Sequence, residues 1–116
     1  ALAVMVGTAH GIYKQLPHLD IRRIEAIREA AGIHLVLHGG SGVPDDQITA
    51  AIAAGVRKIN YATDISLALY APIRMLSDTD NIWTRPIDLF LREPLKSAAA
   101  FLENRLALLG ACGQAW

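Results

Sequence analysis

His10 and His38 stand in matching surroundings, in Gly7-Thr8-Ala9-His10-Gly11 and in His38-Gly39-Gly40-Ser41-Gly42. Each follows an apolar run and each precedes glycine. Neutral imidazole is a good ligand for divalent transition metals, so the two form a candidate metal-binding pair. Two are insufficient for a catalytic zinc site, which takes three protein ligands plus an open position. A histidine at a strand end also serves as an ordinary hydrogen-bonded structural residue. His18 lies in the approach to a helix and His34 at the start of a strand, on the face opposite the loops, so neither joins the pair.

The segment His38-Gly39-Gly40-Ser41-Gly42-Val43-Pro44 packs three glycines into four positions. Such backbone comes close to a ligand and turns N–H groups inward, and a helix starting at once afterwards adds the positive end of its dipole. With the Ser41 hydroxyl, this is chemistry suited to a phosphate dianion. A glycine-rich turn that binds nothing is the plain alternative. Asn60 and Thr63 close a third apolar run, offering an amide and a hydroxyl suited to a substrate hydroxyl or an enolate oxygen. Thr63-Asp64 also reads as a simple helix cap. Lys58 is placed for imine chemistry, and strand alternation puts it on one face with Val56 and Asn60.

These segments must be positioned by something. Residues 2–6, 33–37 and 56–61 are short, partly β-branched apolar runs, as expected for parallel strands covered on both faces. Between them Asp20 caps a helix with apolar residues at Ile21, Ile24, Ile27 and Ala31, ended by Gly32. A second helix opens with Pro44 as its first residue, followed by Asp45 and Asp46, and stops at Gly55. A third runs from about Thr63 to about Ser77 and is kinked or divided at Pro72. After Pro94, Leu95, Ala99, Leu102, Leu106 and Leu109 form an apolar helical stripe, expected to pack as core. Alternating strands and helices predict parallel α/β architecture, with ligands outside the carboxyl ends of the strands.

The 116 residues carry 11 basic and 11 acidic groups with 53% hydrophobic content. That balance excludes a disordered tail and a basic nucleic-acid arm. No apolar run reaches the roughly 20 residues of a membrane span. The single cysteine, Cys112, precludes an internal disulfide framework and makes a reducing cytoplasmic setting the expectation. The chain opens directly on an apolar run without an initiator methionine, which reads as a piece of something larger.

Taken in order, Gly7-Thr8-Ala9-His10-Gly11, Val36-Leu37-His38-Gly39-Gly40-Ser41-Gly42-Val43-Pro44 and Lys58-Ile59-Asn60-Tyr61-Ala62-Thr63-Asp64 resemble the C-terminal part of class II, zinc-dependent ketose-bisphosphate aldolases. The resemblance covers essentially the whole chain. It implies a TIM (β/α)8 barrel, of which residues 1–116 supply the last three strand–helix units and the C-terminal helices. His10 and His38 match two zinc histidines. Gly11, Gly39, Gly40 and Ser41 match groups that hold the phosphate of dihydroxyacetone phosphate, and Asn60, Tyr61, Ala62 and Thr63 match the segment that binds the same substrate's hydroxyls and phosphate. A monovalent cation such as Na+ or K+ near the glycine loops, and a homodimer or homotetramer, are further implications. So is the reaction: reversible cleavage of a fructose or tagatose 1,6-bisphosphate into dihydroxyacetone phosphate and glyceraldehyde 3-phosphate.

The likeness also implies what this stretch lacks. The catalytic aspartate, the first zinc histidine and a mobile-loop glutamate of such enzymes come from segments upstream of it, so no proton-transfer residue is assigned here. A phosphate- or metal-binding barrel fragment that needs a partner chain is the alternative reading.

Overall fold

The computed structural model describes residues 1–8, 15–79 and 84–114. Three strands, β1 (Leu2–Val4), β2 (Leu35–Leu37) and β3 (Val56–Ile59), form a parallel sheet in the order β1-β2-β3. Helix α1 (Ile21–Ala31) joins the first pair and α2 (Asp45–Ala54) the second, followed by α3 (Thr63–Thr79) and α4 (Ile87–Leu108). The alternating architecture is as the sequence predicts. The chain divides into two compact units, Ala1–Thr63 and Asp64–Trp116.

In the first unit the core consists of Val4, Val6, Leu19, Ile24, Leu35, Val36, Leu37, Val43, Ile48, Ala51, Ala54 and Val56. The strands are shorter than the apolar runs. Ile33 is half exposed and precedes β2, and β3 ends at Ile59. Only β2 is buried along its whole length; β1 and β3 are the edges of this sheet, and Leu2 is 41% exposed. His34 lies just before β2, where its carbonyl accepts from the Leu2 N–H at 2.9 Å.

The β2–β3 ladder slips between Leu35 and Val36: Leu35 pairs with Val56, Val36 with Lys58 and Leu37 with Ile59. Arg57 is thus a surplus residue, a β-bulge. Paired residues share a sheet face, so Val56 and Ile59 lie on that of Leu35 and Leu37, and Lys58 lies on that of Val36. This corrects the strict alternation that put Val56 on one face with Lys58. The Arg57 guanidinium donates to the carbonyls of Ile52 and Val56 at 3.1 and 3.2 Å, which satisfies a carbonyl in the last turn of α2. Arg28 stands in the last turn of α1, so a cation meets the negative end of each helix.

Helix ends follow the sequence, with one shift. The Asp20 carboxylate accepts from the Arg23 N–H at 3.0 Å, and Gly32 closes α1 in the left-handed conformation. Asp20→Ala is expected to lower stability of the full-length protein by about 1 kcal/mol; a fall in the denaturant midpoint with unchanged slope checks it. Pro44 is the cap of α2 and Asp45 its first residue, one position later than predicted, because Pro44 is extended at ψ 143°. The Gln47 amide ties α2 to the approach of α1, accepting from the Leu19 N–H at 2.7 Å and donating to the Pro17 carbonyl at 3.1 Å.

In the second unit α3 runs unbroken through Pro72, so the proline does not divide it. α4 has Pro86 at its cap and Pro94 buried inside it. The expected core stripe is corrected: Leu95, Leu102 and Leu106 are 58%, 42% and 48% exposed. Leu109 of the stripe is half-buried, and the better covered positions of α4 include Phe90, Leu91, Pro94, Ala98, Phe101, Arg105 and Leu108. Arg105 sits on that face because its guanidinium lies 5.6 Å from the centre of the Phe101 ring. A leucine-only pattern misses a face that includes a cation over an aromatic. Among the described residues, no helix is long and apolar enough to cross a membrane.

Candidate functional site

Parallel pairing brings the three strand exits side by side, and hydrogen bonds lace the segments that follow them. The Thr8 hydroxyl, beyond β1, donates to the carbonyl of His38 at 2.6 Å. The Asn60 N–H donates to the Leu37 carbonyl at 3.0 Å, and the Asn60 carbonyl accepts from the Gly40 N–H at 2.9 Å. The Ser41 hydroxyl oxygen accepts from the Ala62 N–H at 3.1 Å. Each loop thus holds its neighbour at the carboxyl end of the sheet.

Gly40 shows why glycine is required there. A Cβ at this position would stand 2.5 Å from Ile59 Cγ2 and 3.2 Å from the Asn60 carbonyl oxygen. The absence of a side chain lets the loop after β2 touch the exit of β3. Its N–H is committed to Asn60, so what Gly40 offers a ligand is close approach rather than a donor. Gly7 makes a similar contact below the first loop: at φ +108°, a Cβ there would collide with the carbonyl of His18.

The sequence-predicted residues fall as follows. His38 is exposed, just past the end of β2. Gly39 is half-buried at φ 71°, and Gly40 and Ser41 are buried. Asn60, Tyr61 and Thr63 are half-buried and Ala62 is exposed; Thr63 is the first residue of α3. His38 through Ser41 and Asn60 through Ala62 are thereby brought to one mouth. His10 and Gly11 lie outside the described residues. Among the described residues, no group of three His, Cys, Asp or Glu side chains is arranged to hold a metal ion. An accessible imidazole at a strand exit suits zinc in its chemistry, but His38 alone does not complete a site.

Two features escaped the sequence reading. Thr8 fixes the main chain of His38, a partner thirty positions away that no local pattern reveals. Lys58 Nζ donates to Asn60 Oδ1 at 2.7 Å, and their spacing of two along a strand was the available signal.

Known proteins share this fold. The YdjI aldolase from Escherichia coli K12 superposes with a TM-score of 0.81 at 30% identity, over 98% of this chain and 40% of that one. A protein presented as a fructose-1,6-bisphosphate aldolase from Coccidioides immitis gives 0.83 at 25% identity, over 97% and 38%. A fructose-bisphosphate aldolase from Campylobacter jejuni, at 22% identity and a TM-score of 0.72 over 94% and 39%, shares the fold. The chain therefore spans about 40% of the length of these solved relatives. A family model described as fructose-bisphosphate aldolase class-II matches residues 1–114, and on that match the chain belongs to the class II fructose-bisphosphate aldolase family.

Proposed function

We propose that this chain is the C-terminal part of a class II aldolase TIM barrel, residues 1–116, that reversibly cleaves a ketose 1,6-bisphosphate to dihydroxyacetone phosphate and glyceraldehyde 3-phosphate. The observation that carries the reading is the laced mouth. The Thr8 segment, the His38 segment with its glycine-serine loop, and the Asn60 segment leave three adjacent parallel strands and hold one another in place. In parallel α/β folds this is the end where ligands bind.

In the cleavage direction the C3–C4 bond breaks. The C4 hydroxyl loses its proton to give the aldehyde, and the electron pair stays on the three-carbon phosphate as an enediolate, which takes a proton at C3. The groups that move those protons belong to segments outside this chain. Gly11, Gly39, Gly40 and Ser41 cradle the phosphate, and Asn60, Tyr61, Ala62 and Thr63 bind the hydroxyls and phosphate of the same fragment. That grip, remote from the breaking bond, supplies orientation. His10 and His38 would hold Zn2+ with further donors from outside this chain, and the ion would supply Lewis acidity at the substrate carbonyl. A monovalent cation, Na+ or K+, near the glycine loops, a cytoplasmic setting and a homodimeric or homotetrameric assembly complete the proposal.

The test is aldolase activity on fructose and tagatose 1,6-bisphosphates. The 116-residue chain alone is expected to be inactive, and activity is expected to appear when a chain carrying the missing strands is added. Chelation is expected to abolish it. Activity in the isolated chain would overturn the assignment of the proton-transfer groups to outside segments. Retained activity after chelation, with trapping by borohydride in the presence of substrate, would instead indicate an imine at Lys58. Phosphate or zinc binding without cleavage after complementation would indicate a binding module.

A further inference from the structure

We propose that Lys58 is a positioning residue that turns Asn60 into a hydrogen-bond donor toward the substrate's developing oxyanion. The proposal rests on the ketose-bisphosphate reading above and names a group that reading leaves without a role. Lys58 and Asn60 are two apart at the end of β3 and share a face, and Lys58 Nζ lies 2.7 Å from Asn60 Oδ1.

An ammonium has three donors and no acceptor, so only the oxygen of an asparagine amide can meet it. Chemistry therefore fixes the orientation of the amide, and the NH2 group points away from Lys58. The backbone of Asn60 is held at both poles, its N–H on the Leu37 carbonyl and its carbonyl on the Gly40 N–H. The side chain thus turns on a fixed stem. Among the described residues no acceptor takes a hydrogen bond from Asn60 Nδ2.

Two consequences follow for the chemistry. With its oxygen turned to Lys58, Asn60 presents its N–H donors to a ligand, which suits an acceptor oxygen. A cation on Oδ1 also polarises the amide, making Nδ2 a stronger donor to an oxygen gaining negative charge. The pair is exposed in the free chain, where such contacts contribute little. Its effect grows when bound substrate excludes water. It is therefore felt more by the enediolate than by the ground state, which is the condition for raising rate rather than affinity alone.

The experiment follows exchange of the C3 proton of dihydroxyacetone phosphate with deuterium from solvent. Enolisation is thereby isolated from the aldehyde half of the reaction. In the zinc-loaded full-length protein, Lys58→Met is expected to lower the saturated exchange rate about tenfold or more. The dissociation constant for dihydroxyacetone phosphate, from direct titration, is expected to change less than about threefold. Lys58→Arg is expected to recover most of the rate, because it restores a cationic donor. On an Asn60→Ala background, Lys58→Met is expected to add less than about twofold, since a residue acting through another has nothing left to act on. An unchanged exchange rate in Lys58→Met, or full additivity with Asn60→Ala, would overturn the proposal while leaving the aldolase reading intact. Absence of exchange in the unsubstituted zinc-loaded protein would overturn that reading, and this inference with it.

Discussion

Replacing His38 with alanine in the full-length protein is expected to weaken zinc binding about a hundredfold or more, beyond the loss seen when only a supporting partner of a metal ligand is removed. Aldol cleavage should fall at least in proportion. The substitution is clean in physical terms. His38 is an exposed residue, so truncating it opens no core cavity, and the main chain at this position is clamped by Thr8 from one side. Stability of the metal-free protein is expected to change by less than about 0.5 kcal/mol, the range for surface substitutions. Zinc affinity measured against a competing chelator, beside a denaturation curve of the metal-free protein, separates loss of a ligand from loss of fold. Unaltered zinc affinity would remove His38 from the metal site.

Gly40→Ala is expected to act in the opposite manner, through shape alone. The added carbon would stand 2.5 Å from a methyl of Ile59, a distance that real Cβ contacts do not show, and 3.2 Å from the Asn60 carbonyl. Ile59 is β-branched and cannot swing aside without a χ1 change, so the loop and the strand exit must part. Overpacking of this kind costs about 1–3 kcal/mol. Parting them also stretches the Gly40–Asn60 hydrogen bond that joins two of the three segments at the mouth. The expected result is a lowered unfolding midpoint together with weaker binding of dihydroxyacetone phosphate by about tenfold, since each 1.4 kcal/mol is a factor of ten. Binding that stayed at its original strength in a destabilised variant would show that the contact serves the fold only.

The sequence discloses the part of this molecule governed by short-range rules. The Asp20 cap, the Gly32 terminus, the alternation of strands with α1 and α2, and the gathering of polar residues after each strand all follow from neighbours within a few positions. Contacts between distant residues were not legible. Thr8 on His38, Gln47 on Pro17 and Leu19, and Ser41 on Ala62 join residues 21 to 30 positions apart. Where several patterns fit one helix, composition misleads. On α4 Leu95, Leu102 and Leu106 mark an exposed stripe, whereas the better covered positions include Arg105 over Phe101, a pairing that hydropathy alone does not suggest.

The surplus residue in β3 has a larger meaning than a local irregularity. Below it, Val56 is seated with Leu35, and above it Ile59 is seated with Leu37, although the two are three positions apart. A chain in strict two-residue phase could satisfy the interior or the rim, but not both. Arg57 absorbs the mismatch and sends its own side chain to the end of a helix. The interior and the rim of this strand are thereby uncoupled, so substitutions that retune the rim need not disturb the packing beneath it.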